Sequence, residues 1–245
     1  MNFPRLDLLA SNSKLDKAQK QGVWQIGLSL APADASGYNV CPHASEGCKA
    51  ACLFTAGRGR MPTVHKGRVA KTLEFFRNKE EFIQRVSSDI AMANAWAQTN
   101  KFGLTVRLNV ISDLVWEKIK ANGKTLFDLY PEVQFLDYTK HPDRALRWAQ
   151  GEMPNNYHIT FSRSEANIQD CERVLGAGGN VAIVFATRDP KAKKRTFDLP
   201  SEWNGYKVIN GEESDLRHLD PRNVVVGLRA KGEAWKDENG FVEWI

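Results

Sequence analysis

Three cysteines stand close together in the segment CPHASEGCKAAC: Cys41, Cys48 and Cys52. Thiolates are the natural ligands of iron–sulfur clusters and also bind zinc. The steps are C-x6-C and then C-x3-C. Structural zinc sites draw on pairs of short hooks, C-x2-4-C or H-x3-5-H, and only one such hook is present. The spacing therefore points first to a [4Fe–4S] cluster, with zinc as the alternative. Three cysteines leave one iron of a cubane for an outside ligand, a water or a non-cysteine side chain. Gly47 gives the loop backbone room, and Ala44, Ala50 and Ala51 are small enough to pack against an inorganic core. Cys171 lies between Ile168 and Leu175 on an apolar helical face and reads as a core residue. His43 and His65 are nearer in sequence and carry ligating nitrogens.

A disulfide framework fits poorly, because three neighbouring cysteines leave one unpaired. A reducing compartment and a metal site fit better. The chain has 245 residues, 42% of them hydrophobic and 26% charged, which is ordinary globular composition. Such a length buries a core without disulfides. No apolar run approaches the roughly 18 residues that span a bilayer. The N-terminal stretch lacks the apolar centre of a signal peptide. The expectation is a soluble protein of the cytoplasm with no membrane partner.

The elements that must carry the cysteine loop follow a repeated pattern of apolar strand, polar turn and helical segment. Gly22–Pro32 reads as the first strand and leads into the cysteines. Helices follow at Pro62–Arg77 and Glu80–Gln98, the second with Phe82, Val86 and Ile90 at helical spacing and with Asn78 and Glu81 as a capping pair. Further strands are expected at Leu104–Val110, Val133–Lys140, Tyr157–Ser162, Val181–Ala186, Lys207–Asn210 and Val224–Leu228. Helices are expected after Ser112 or Asp113, at Asp143–Ala149 and at Glu165–Leu175. Strands separated by helices imply a mainly parallel sheet. The fold class is α/β, as a partial or complete (β/α) barrel, with an open doubly wound sheet second. The chain reads as one domain over 1–245, with the cysteine loop at 41–52 and a basic insertion at 187–205.

In barrels the active site forms beyond the C-terminal ends of the strands. Polar residues gather at those positions here: Arg107, Asn109 and Asp113; Tyr138 and Lys140; Arg163 and Glu165; Asp215 and Arg217; Arg229 and Lys231. They make a candidate pocket for an unidentified small molecule beside the cysteines. Arg107 and Asn109 carry the strongest signal, since they interrupt an apolar strand and buried polar groups need partners.

The formal net charge is +5 and the isoelectric point is near 9.0. The positives are densest at Arg58–Lys71 and Lys191–Arg195. They are compatible with a nucleic-acid backbone or a host protein as partner, and equally with a solvated basic face.

The motifs CPHASEGCKAACLFTAGRGR, VRLNVISDLVWE, FLDYTK, HITFSRSE, GEESDLRHLDP and VVVGLRAKG resemble the phage gene product 88 family over about Leu28 to Phe241. The resemblance implies a phage protein acting in the host bacterial cytoplasm, and Cys41, Cys48 and Cys52 match the family's cysteine motif. A looser likeness is to radical SAM enzymes, which place three cysteines after the first strand of a partial barrel and bind S-adenosylmethionine at the unique iron. Their spacing is C-x3-C-x2-C, and they carry Gly-Gly-Glu after the second strand, where this chain has Asn109–Asp113. That likeness implies an architecture, with a redox or radical role as the chemistry to test. A non-catalytic binding protein stabilised by an iron–sulfur cluster or zinc is the other class.

Overall fold

The computed structural model describes residues 2–12, 15–55, 57–193 and 196–245. Its strands are β1 Val23–Gly27, β2 Gly103–Arg107, β3 Gln134–Thr139, β4 Tyr157–Ser162, β5 Val181–Ala186, β6 Glu202–Trp203, β7 Tyr206–Asn210, β8 Val225–Arg229 and β9 Glu243–Trp244. Its α-helices are α1 Glu46–Ala50, α2 Pro62–Arg77, α3 Lys79–Asn100, α4 Leu126–Leu129, α5 Pro142–Ala149 and α6 Ile168–Gly176.

One mostly parallel sheet holds the nine strands in the order β1-β2-β3-β4-β5-β8-β7-β6, with β9 added to the end of β5. Only the short β6–β7 pair is antiparallel. Consecutive parallel strands with right-handed crossovers set their helices on one side of the sheet. Helix α3 packs on β2, α5 on β3 and β4, and α6 on β4 and β5. Towards the helices the strands present Trp24, Ile26, Val106, Phe135, Tyr157, Ile159 and Phe161, all buried. These alternate with Gln25, Thr105, Arg107, Tyr138, His158 and Thr160 on the other face, as the period of two requires. The connection from β7 to β8 brings the turn Arg217–Leu219 against β4.

Among the described residues no strand pairing joins β1 to β6 or β7, so the hydrogen-bonded sheet is open. A side-chain bond partly bridges that opening. Lys17, in the turn Leu15–Gln21 that packs on β1, donates to the Glu212 carbonyl just past β7 at 2.6 Å.

The α2 and α5 boundaries follow from Pro62 and Pro142 in the first turn, where a missing N–H costs nothing. Several local expectations differ: the first strand stops at Gly27 and does not reach Pro32, and β2 stops at Arg107, so Asn109 lies past it and does not interrupt it. Asn78 makes no side-chain cap, and Glu80 and Glu81 instead supply the favourable acidic first turn of α3. The segment after Asp113 forms only a short 3-10 turn, Trp116–Lys118. Helix α6 begins at Ile168, leaving Glu165 outside it. The basic insertion is anchored at Phe197, which is buried, and ends in β6.

No helix among the described residues is long and apolar enough to cross a membrane.

Candidate metal centre

The cysteine loop lies over the C-terminal ends of the parallel strands. At its start, Val40 O accepts from Asp113 N at 2.8 Å, and Cys41 Sγ donates to Ile111 O at 3.7 Å, both partners lying past β2. The Ala33 N–H donates to Cys41 Sγ at 3.4 Å. Ser45 caps α1 by accepting from Cys48 N, and the turn continues through Cys52 N to Lys49 O. Glu165, beyond β4, clamps the loop: its carboxylate accepts from Ser45 Oγ and from Gly47 N, each at 2.8 Å.

All three thiols sit half-buried. Burial pushes Cys41 up to about 11, opposed by the Ala33 N–H, while Asp113, Cys52 and Cys48 add to the rise. Burial also raises Cys52, against the lowering effects of the Phe54 N–H, Lys140 and Arg68. Cys41 and Cys52 thus each feel the charge of neighbouring thiols, and Lys140 and Arg68 counter it at Cys52. Among the described residues, however, no three of His, Cys, Asp and Glu are grouped so as to hold a metal ion. Cys171 is fully buried in the main core. His43 stacks on His141 with ring centroids 4.3 Å apart, and His65 lies 6.2 Å from the Phe54 ring.

The eleven polar residues expected at strand ends fall into several local groups. Lys140 and Glu165 belong with the cysteines; Lys140 Nζ also donates to Ser162 Oγ at 2.9 Å and lies 5.5 Å from the Phe241 ring. Asn109 and Asp113 are framework residues. Asn109 binds Asp137, Ser112 and Leu114, and Asp113 accepts from Thr139 Oγ1, Lys140 N and Arg144. Arg107 stacks on Tyr138 at 5.0 Å. Arg163 holds the C-terminal segment, donating to Gly240 O and Phe241 O at 2.9 Å and pairing with Glu243 at 2.8 Å. Asp215 and Arg217 are buried in the β7–β8 connection, where Arg217 pairs with Asp220. Arg229 and Lys231 both bind Glu212, and Arg229 Nε also donates to Phe197 O.

Sequence reasoning missed the hub of this framework. Arg144 is buried and donates twice to Glu117 and once each to Asp113 and the Tyr157 hydroxyl, all at 2.9 Å. Tyr157 in turn donates to Asp137. Burial pushes Asp137 up to about 6, against the pull of Arg107 and its hydrogen bonds from Asn109 and Tyr157. Arg68 was counted only as part of a basic surface; it turns inward, donating to Gly59 O, as Lys71 does to Leu8 O. The side chain of Arg58, with Lys194 and Arg195, lies outside the described residues.

No curated protein and no solved structure matches the chain. A family model described as Gene product 88 matches residues 6–243, nearly the whole length. With the cysteine loop and the strand-end motifs inside that span, the chain belongs to the phage gene product 88 family.

Proposed function

We propose that Cys41, Cys48 and Cys52 hold a [4Fe–4S] cluster at the C-terminal end of the sheet, and that the protein works as an iron–sulfur protein in the cytoplasm of the infected bacterium. The observation that carries this reading is that Cys41, Cys48 and Cys52 share one loop at the strand ends, which Glu165 clamps through Ser45 and Gly47. The donor set fits the group. Thiolates are its ligands, and nearby cations favour its negative charge. A single zinc ion, with Zn–S of about 2.3 Å, needs its thiolates drawn tightly round one point. A cubane is several atoms across and holds its thiolates further apart.

When bound, such a cluster supplies one-electron transfer and, with three protein thiolates, one iron open to an outside donor. The chain's own residues hold and tune it. Glu165 fixes the loop, Lys140 and Arg68 offset negative charge, and the Asp113–Arg144 framework holds the β2 loop against Cys41. The strand order β1 to β5 and the Lys17–Glu212 bond support reading the sheet as a partial barrel with this loop at its mouth. A redox or radical role follows from that placement, and the Cys spacing leaves S-adenosylmethionine as a ligand to assay.

Anaerobically purified protein is expected to be brown and to contain about four iron atoms per chain with matching acid-labile sulfide. Stoichiometric zinc without sulfide overturns the reading. Release of 5′-deoxyadenosine from S-adenosylmethionine under reduction tests the radical role separately.

A further inference from the structure

A cleft of about 540 Å³ opens between Arg188, Trp235, Lys236, Asp237, Glu238 and Trp244; none of the eleven expected pocket residues lines it, though Arg163 braces its wall by donating to Gly240 O. Trp235 and Trp244 meet edge to face with centroids 6.3 Å apart. The exposed Arg188 guanidinium lies 5.6 Å from the Trp244 ring and has no hydrogen-bond or ion-pair partner among the described residues. A stacked planar guanidinium with its donors unused is suited to a phosphate or carboxylate.

The charge around the cleft narrows the ligand. Asp237 is consumed by the backbone, accepting from Asn239 N, Gly240 N and Val242 N. Glu238 is the remaining acid in the wall, and Lys236 pairs with Glu233. Arg188 already lies over Trp244, so a cationic ligand would meet a cation there. Residues on both sides of the basic run meet this aromatic group. Arg188 lies on Trp244, and Phe197 lies 6.1 Å from Trp235. Lys191 and Lys193 are exposed within five residues of Arg188, with Asp189 the acid among them.

We infer that this cleft binds a nucleotide unit, its base against the tryptophans and its phosphate on Arg188 and the Lys191–Lys193 turn. Aromatic platforms beside a positive track are how single strands are bound without sequence preference. The inference does not depend on the metal reading, because none of these residues is a proposed ligand.

Two sources offer this chemistry, a single-stranded nucleic acid and a free nucleotide. The probe is fluorescein-labelled oligo-dT, read by anisotropy at low salt, with AMP and GMP as competitors and an abasic oligonucleotide as control. Binding is expected to weaken about ten-fold in Arg188→Ala and in the Lys191→Ala/Lys193→Ala double variant. It should also weaken with salt, with a log–log slope of about −0.7 per phosphate contacted. Competition by AMP or GMP at matching affinity assigns the cleft to free nucleotides; failure to compete assigns it to single strands. Absence of binding by every probe, equal binding of the abasic strand, or an unchanged affinity in Arg188→Ala overturns the inference. Far-ultraviolet circular dichroism of the variants, whose changed side chains are exposed, confirms that they fold.

Discussion

Glu165 reaches across 118 positions of sequence to Gly47, whose N–H donates to its Oε1 at 2.8 Å. A Cβ at Gly47 would stand 2.7 Å from Oε2, so glycine is needed for the carboxylate to close on the backbone. The clamp ties the loop carrying Cys48 to the end of β4. Glu165→Ala is expected to lower iron occupancy several-fold while shifting the thermal midpoint only slightly, since the change lies at a half-buried loop contact. Gly47→Ala should act in the same direction, and the double variant should be no worse than the sum. Iron content that stays at the parent level in both single variants would show that the clamp does not serve the cluster.

Replacing Cys41, Cys48 or Cys52 with Ala should remove the iron and the visible thiolate-to-iron absorption. Cys171→Ala should keep both, while destabilising the fold by about 1 kcal/mol or more through the small cavity it leaves. Metal analysis with a denaturation curve separates the two classes. Iron loss in the Cys171 variant without unfolding contradicts its reading as a core residue.

Arg144 holds two carboxylates, those of Asp113 and Glu117, in a site where its own side chain is 3% exposed. Removing one partner of a buried ion pair leaves the other charge uncompensated, at a cost of about 3–5 kcal/mol. Arg144→Ala is therefore expected to lower stability by that amount in urea denaturation. A loss below about 1 kcal/mol would mean that water solvates both carboxylates.

Asp137 makes stability depend on pH. Its folded value of about 6 lies above the ordinary 3.8, so the folded state holds its proton more tightly than the unfolded chain does. Its contribution is fully present below about pH 3.8 and is lost as pH rises through about 6, on the order of 3 kcal/mol in all. His158 acts in the opposite sense. Burial lowers it to about 3, with His218 and Arg217 adding to the effect, so its contribution is present above 6.5 and is lost on acidification towards 3. Comparing Asp137→Asn and His158→Phe with the parent protein isolates each limb. Unfolding free energies measured between pH 4 and 7 should change less in each variant on its own limb. Parallel pH profiles for Asp137→Asn and the parent would refute the Asp137 assignment.

Much of the framework was legible because it rests on local rules. Pro62–Arg77, Tyr157–Ser162 and Val181–Ala186 appear with the expected bounds, since proline capping and apolar runs act within a few residues. Cys171 was legible as a core residue from helical spacing alone. The partners of the strand-end residues were not, because strand-end polarity looks the same whether a side chain faces a ligand or braces a neighbouring loop. Asn109, Asp113 and Arg163 all turned out to brace.

The sequence by itself determined the family, the parallel α/β character and the three-cysteine loop, since motif order, periodicity and residue spacing are properties of neighbouring positions. Tertiary structure alone decided what surrounds that loop. Glu165 from beyond β4, Lys140 from just past β3 and Arg68 from α2 come to the cysteines from distant segments. The C-terminal strand β9 joins β5 only where Arg163 gathers Gly240, Phe241 and Glu243. Trp235, Trp244 and Arg188 likewise form a cleft only because β9 brings the chain's end beside the residues that follow β5. Such partnerships depend on which strands lie side by side, and no local pattern encodes that adjacency.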